Sequence, residues 1–147
     1  MKPASLSLAV AATFLLSSCQ TDTETLTTHG PSSSSLSEPA VAAISGDIVS
    51  RLAEQVAPGS APLRLDEDQS PHGVAWQSAL RSAGYVISAE PAVPTGKRAL
   101  DVTYGIDEFE GQILARLAVG TVEITRGYNA SLDGAMPVTP LSVITRN

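Results

Sequence analysis

Apolar residues recur at every second position in the second half of the chain, and this alternation restricts the fold more than any other feature. It begins with four apolar residues separated by polar residues or glycine: Leu100, Val102, Tyr104 and Ile106. After a charged reversal at Asp107–Gly111 it resumes with a second series: Ile113, Ala115, Leu117 and Val119. Because successive side chains of a strand point to opposite faces, both series predict strands with one buried face. Such strands are typical of an antiparallel sheet that is covered on one side.

The alternation changes phase at Gly120-Thr121, after which Val122 and Ile124 are the apolar residues. A two-residue hairpin with glycine first would place Val119 opposite Val122 and keep the apolar residues on one face. A β-bulge at Gly120 within one long strand would shift the phase equally well. We favour the hairpin.

A first helix is predicted from about Glu38 to Val56, with Ser37 as its N-cap. Its apolar stripe recurs every four residues: Ile44, Ile48, Leu52 and Val56. Asp47 and Arg51 are four residues apart, and we expect them to form a pair on the surface of this helix.

A second helix is predicted to open at Ser70-Pro71 and to end at about Ser82 or Ala83, before Gly84. Its buried side is expected to consist of small and large apolar residues: Ala75, Trp76, Ala79, Leu80 and Ala83. Short strands are predicted on either side of this helix, at Pro62–Asp66 and Tyr85–Ser88.

These elements predict an α+β fold, with two helices packed on one face of a mostly antiparallel sheet of four to five strands. The predicted domain occupies residues 38–147. Its last part, beyond Tyr128, is rich in turn residues and is expected to be a loosely ordered tail. Within that tail, Pro140–Ile144 could add an edge strand or stay mobile.

The composition excludes several functional classes. The 147 residues carry a formal net charge of −6, and the few basic residues are scattered, which argues against direct binding of nucleic acid. One cysteine and two histidines exclude an internal disulfide framework and nearly exclude a zinc site. Hydrophobic residues make up 43% and aromatic residues 4%, so the core is expected to be mainly aliphatic.

The N-terminus has the features of a secretion signal. Lys2 precedes an uncharged run, Ala4–Leu16, which suits a signal peptide and is too short to span a bilayer as a helix. The run ends in Leu16-Ser17-Ser18-Cys19, which resembles the bacterial lipobox. We therefore expect a lipoprotein signal peptide at residues 1–18, cleavage between Ser18 and Cys19, and lipidation of the Cys19 thiol.

Residues 19–37 are predicted to be the lipidated cysteine followed by a flexible tether. Ten of the eighteen residues in Gln20–Ser37 are Ser or Thr, and such a segment has too little apolar surface to offset its ordering entropy. Gln20, directly after the cysteine, is not the Asp that favours retention in the inner membrane. Anchoring in the outer membrane, with the domain facing the periplasm, is the prediction.

The histidines and an acidic loop do not form a recognisable active site. His29 lies in the tether, and His72 lies in the second helix with no cysteine or second histidine nearby. Asp66–Ser70 resembles the start of a calcium loop, but Pro71 and Gln77 occupy the positions that need Gly and Glu. A solvated acidic loop is the simpler interpretation.

The remaining chemical candidates are also explained more simply. Asp107, Glu108 and Glu110 crowd one turn without an apolar wall that would raise a carboxyl pKa, so we interpret them as solubilising a hairpin end. Trp76 is more simply a core residue than a ligand platform. The sequence therefore predicts a protein that is not an enzyme and that has no catalytic, cofactor-binding or metal-binding residues, no cofactor and no small-molecule substrate.

Four stretches, taken with the lipobox, resemble the TrbH family of conjugal-transfer lipoproteins. They are Ile44–Gln55, Leu80–Val86, Ile106–Leu117 and Pro140–Ile144. The resemblance implies a structural or assembly subunit of the mating-pair-formation apparatus of plasmids, a type IV secretion system. It implies other channel subunits of the periplasm and outer membrane as partners, and it transfers only Cys19 as a named functional residue. The alternative is an outer-membrane lipoprotein that assists another envelope complex or binds cell wall.

Overall fold

The computed structural model describes residues 36–88 and 97–147. The described residues form two helices and seven strands: α1 (Glu38–Gln55), β1 (Leu63–Arg64), α2 (Pro71–Ser82), β2 (Ile87–Ser88), β3 (Leu100–Phe109), β4 (Gln112–Val119), β5 (Val122–Ser131), β6 (Gly134–Pro137) and β7 (Ser142–Thr145). The predicted signal peptide, Cys19 and nearly all of the predicted tether lie outside these residues. Within the two described ranges, no helix is long and apolar enough to cross a membrane.

Both helices begin at the predicted N-cap residues, Ser37 and Ser70. Each hydroxyl accepts a hydrogen bond from a backbone N–H three residues downstream, at 3.3 Å in α1 and 3.1 Å in α2. The second helix ends at Ser82, before Gly84, as predicted. The φ of Gly84 is +89°, and its N–H donates to the Arg81 carbonyl to close the last turn.

The strands form a mixed sheet in the order β2-β1-β3-β4-β5-β6, and β7 pairs with β5. The predicted α+β class and the mostly antiparallel pairing are confirmed, but the sheet has seven strands instead of four to five. The two additional strands come from the tail, because β6 pairs with the end of β5 and β7 pairs with its beginning. Pro140–Ile144, which could have added a strand or stayed mobile, therefore contributes to β7.

The other edge of the sheet is parallel. The two-residue strand β1 lies between β2 and β3 and pairs in parallel with both. Both β1 and β2 are shorter than the predicted strands Pro62–Asp66 and Tyr85–Ser88, because the ladder hydrogen bonds extend over only two residues.

The predicted hairpin at Gly120-Thr121 is confirmed. Val119 lies opposite Val122, and the φ of Gly120 is +58°, as the first position of such a turn requires. The preceding reversal is tighter than the predicted Asp107–Gly111. Only Glu110 and Gly111 form the turn, and both have positive φ. Asp107, Glu108 and Phe109 belong to β3.

The hydrophobic core lies between the helices and the sheet. It is formed by the apolar stripe of α1, by Trp76 and Leu80 of α2, and by the inward-facing residues of the central strands. Trp76 is fully buried and stacks on Tyr104, with the ring centroids 5.5 Å apart. The prediction that Trp76 is a core residue is confirmed.

Candidate functional site

Most of the residues that the sequence analysis considered as sites can be placed only in part, because the processing site precedes the described residues. Cys19, Ser18 and His29 lie outside the described residues, so their predicted roles stay predictions. His72 lies in the first turn of α2, as expected. Within residues 36–88 and 97–147, no cluster of three or more His, Cys, Asp or Glu side chains could hold a metal ion.

The acidic loop Asp66–Ser70 is connected to the sheet through hydrogen bonds of its central residue, Asp68. Asp68 accepts a 2.8 Å hydrogen bond from the backbone N–H of Ser70 through one oxygen. Its other oxygen accepts a 2.5 Å hydrogen bond from the phenol of Tyr104 in β3. These bonds position the start of α2 against the sheet. Asp68, which lies in the loop that resembles a calcium site, therefore has a structural role.

A second polar cluster links α1, β5 and the chain beyond β6, and its partners were not predicted. The Oδ2 atom of Asp47 accepts hydrogen bonds from Arg126 at 2.9 Å and from the Tyr128 phenol at 2.7 Å. Arg126 also donates to the backbone carbonyl of Thr139 at 3.1 Å. The predicted surface pair of Asp47 with Arg51 is wrong, because Arg51 instead pairs with Glu54 at 2.9 Å on the exposed side of the helix.

A signal for this cluster exists in the sequence. Arg126 is in phase with Ile124 and Tyr128, which are both buried on the helix-covered face of β5. A charged residue on that face needs a partner from the covering helix. Asp47 is a carboxylate on that helix and could have been matched to Arg126. The rule that charges four residues apart pair on a helix matched it to Arg51 instead.

The environment of the two tyrosines determines what these clusters can do chemically. Burial raises the pKa of Tyr128 above its ordinary value of 10.0, and the hydrogen bond to Asp47 raises it further. Burial also raises the pKa of Tyr104, and the hydrogen bond to Asp68 raises it further. Both phenols keep their protons at neutral pH and donate hydrogen bonds to fixed carboxylates, which is a structural role.

An open groove lies near this second cluster on the surface of the described residues. The groove has a volume of about 660 Å³ and lies between α1 and the β5–β6 hairpin. Its walls include small and apolar residues of both elements: Ala43, Ala130, Ala135, Met136, Pro137 and Val138. Met136 is 74% exposed at the rim. The other lining residues are Asn129, Ser131, Asp133 and Gly134, so the groove offers both apolar and polar contacts.

Comparison with known proteins assigns the chain to a family. The family model described as "Conjugal transfer protein TrbH" matches residues 21–147. The chain belongs to the TrbH family. A TrbH relative from Sinorhizobium fredii (strain NBRC 101917 / NGR234), described as "Probable conjugal transfer protein TrbH", is 37% identical over 137 residues. The matched region covers 90% of this chain and 92% of that relative.

Membership of the TrbH family confirms the resemblance seen in the four sequence stretches. No solved structure matches the chain. The TrbH match includes both helices and all seven described strands, so the residues of the two polar clusters and of the groove lie within the matched range.

Proposed function

We propose that this protein is a structural subunit of a conjugal transfer apparatus and that it acts by binding other subunits instead of by catalysis. The observation that carries the proposal is the match to the conjugal transfer family over residues 21–147. The use of Asp47 and Asp68 as internal hydrogen-bond acceptors supports a scaffold role, because those carboxylates already have fixed structural partners.

In this proposal, lipid on Cys19 holds the protein at the outer membrane, and the domain faces the periplasm. The lipobox-like Leu16-Ser17-Ser18-Cys19 and the following Gln20 support this location. The eighteen residues of Gln20–Ser37 would reach about 60 Å if fully extended and about 23 Å as a flexible coil. That length lets the domain contact partners away from the membrane surface.

The proposed partners are other channel subunits in the periplasm and outer membrane. Direct contact with the transferred DNA is not part of the proposal. The formal net charge of −6 supports this division, because binding to a phosphate backbone relies on clustered Lys and Arg.

Deletion and complementation of the gene on a conjugative plasmid test the proposed function. We expect deletion to reduce the transfer frequency strongly and the wild-type gene to restore it. A C-terminally tagged copy should co-purify with transfer subunits from the outer-membrane fraction of mating cells. Normal transfer after deletion would contradict the proposal and favour the alternative role in another envelope complex or in cell-wall binding.

A further inference from the structure

The three most exposed large apolar side chains of residues 36–88 and 97–147 lie at one end of the sheet. Phe109 is 72% exposed at the end of β3, Leu132 is 83% exposed between β5 and β6, and Met136 is 74% exposed in β6. The β3–β4 and β5–β6 turns lie at the same end, because β3, β4, β5 and β6 are successive antiparallel neighbours. We name residues 107–112 and 129–137 the hairpin tip.

Two of these side chains lie on the face of the sheet that the helices do not cover. Phe109 pairs with Gln112, and Met136 pairs with Asn129. Phe109 is three residues after buried Ile106, and Asn129 is one residue after buried Tyr128, so both positions face away from the core. Single exposed apolar residues need no explanation, but several that share one end of a domain are typical of a protein interface.

The hairpin tip is also acidic. It contains four carboxylates, which are exposed: Asp107, Glu108, Glu110 and Asp133. Neither segment of the tip contains Lys or Arg. At the opposite end of the sheet, Arg64 pairs with Asp101 and Arg146 pairs with Glu123. Charge is therefore distributed unevenly along the strands, because the two segments of the tip supply carboxylates but no Lys or Arg.

The position of the tip relative to the N-terminal chain is fixed. The hydroxyl of Ser37 donates a 2.9 Å hydrogen bond to the carbonyl of Ser131, at the end of β5. The N-terminal end of α1, which follows the proposed tether in sequence, therefore lies at the hairpin tip. Whatever binds the tip lies within reach of the membrane to which the protein is proposed to be anchored.

Charge complementarity selects among the possible occupants of the tip. Anionic lipid would repel four carboxylates, so a membrane surface is a poor match. The tip of a second copy would bring like charges together. A polypeptide with Lys or Arg next to apolar residues matches both the carboxylates and the apolar side chains. We propose that the hairpin tip is the docking surface for a basic, apolar segment of another transfer subunit.

This proposal rests on the proposed function and names the partner chemistry for it. The groove beside the tip supplies a place for a side chain of the partner, since most of its lining residues belong to residues 129–137 of the tip. Basic residues of the partner would then lie over Glu110 and Asp133, in the two turns.

Site-specific photocross-linking of the full-length protein in mating cells tests the proposal. A benzophenone amino acid replaces Leu132 in the tip, and the matched control carries it at Val74, which is 51% exposed on α2. We expect a product at Leu132 whose cross-linked segment, identified by mass spectrometry, has a net positive charge and apolar residues. The Val74 control should not give that product.

Charge reversal makes the test specific. The pair Glu110→Lys and Asp133→Lys should lower the yield of the product at least tenfold. The pair Glu54→Lys and Glu67→Lys makes the same change in net charge away from the tip and should leave the yield unchanged. If the reversed variant does not fold, as judged by thermal unfolding, Glu110→Gln with Asp133→Asn should still lower the yield several-fold.

Each other outcome contradicts the proposal. These outcomes are a product that links two copies, a product with lipid, a cross-linked segment without net positive charge, and no product at Leu132. If the wild-type protein still co-purifies with transfer subunits in those cases, the proposed function stands and only the assignment of the tip fails. Loss of co-purification for the wild-type protein would instead contradict the proposed function.

Discussion

The phenol of Tyr128 donates a 2.7 Å hydrogen bond to Asp47, a residue 81 positions earlier in the chain. The same carboxylate oxygen accepts a hydrogen bond from Arg126. This relationship fixes the middle of α1 over β5, and the second donor of Arg126 extends the connection to Thr139. One carboxylate therefore holds a helix, a central strand and the chain beyond β6 together.

Removal of that carboxylate should destabilise the domain. Asp47→Ala leaves Arg126 and Tyr128 without their shared acceptor, and we expect the free energy of unfolding to fall by about 2 kcal/mol. Glu54→Ala removes only the exposed pair with Arg51 and should change stability by less than about 0.5 kcal/mol. Urea unfolding followed by circular dichroism measures both values. Equal effects of the two substitutions would show that the cluster contributes no more than a surface pair.

Alkaline pH should weaken the fold through the buried phenols. The pKa values of Tyr104 and Tyr128 are raised in the folded state above the ordinary value of 10.0, chiefly by burial. The folded state therefore binds these protons more tightly than the unfolded state. Their stabilising contribution is complete below pH 10 and is lost as the pH rises above it.

The unfolding free energy measured between pH 8 and pH 11.5 tests this dependence. We expect it to decline above pH 10 in the wild-type protein and to decline less steeply in the variant with both Tyr104→Phe and Tyr128→Phe. Because the variant also loses two hydrogen bonds, the comparison concerns the slope and not the absolute stability. Parallel slopes would exclude these tyrosines as the cause.

Two glycines in the helices should respond in opposite directions to alanine. A Cβ atom at Gly73 would lie 2.3 Å from the Cγ atom of Asp68, so Gly73→Ala must displace the loop that holds Tyr104. A Cβ at Gly46 would meet nothing within 4 Å on the exposed side of α1. We expect Gly46→Ala to stabilise the domain by up to about 1 kcal/mol and Gly73→Ala to destabilise it. Thermal unfolding of both variants decides the signs, and a stabilising Gly73→Ala would contradict the packing described for that loop.

Lipidation should depend on the single cysteine. Cys19→Ser removes the thiol that would carry the lipid, so we expect labelled palmitate to be lost and a precursor about 2 kDa heavier, or a differently cleaved soluble form, to accumulate. Ser17→Ala keeps a small residue before the cysteine and should retain labelling. Labelling that persists in Cys19→Ser would exclude the proposed anchor.

The function of the predicted tether should depend on its length and not on the order of its residues. Shuffling residues 20–35 preserves the reach of a flexible segment, and we expect it to leave the transfer frequency unchanged. Deletion of most of these residues should lower the frequency because the domain can no longer reach its partners. A shuffled segment that abolishes transfer, at normal protein levels, would indicate a specific binding motif in place of a spacer.

Local patterns in the sequence were sufficient for the elements whose signals extend over neighbouring residues. Ser37 and Ser70 start the helices because a cap acts within three residues. The hairpin at Gly120-Thr121 follows from the phase of the alternation and from the freedom of glycine at positive φ. Trp76 faces the core because its spacing on α2 matches that of Leu80.

Tertiary structure alone decided the contacts between distant parts of the chain. Asp47 is equally well placed on its helix to pair with Arg51, and only the packing of α1 on β5 brings Arg126 and Tyr128 to it. The strands β6 and β7 have four residues each, too few to establish a period, and they form because β5 presents an unpaired edge. The sequence by itself therefore determined the helices and the central hairpins, where the energetic preference is local. The number of strands and the partners of the partly buried Asp47 carboxylate depend on which distant surfaces meet, and that is settled only when the core closes.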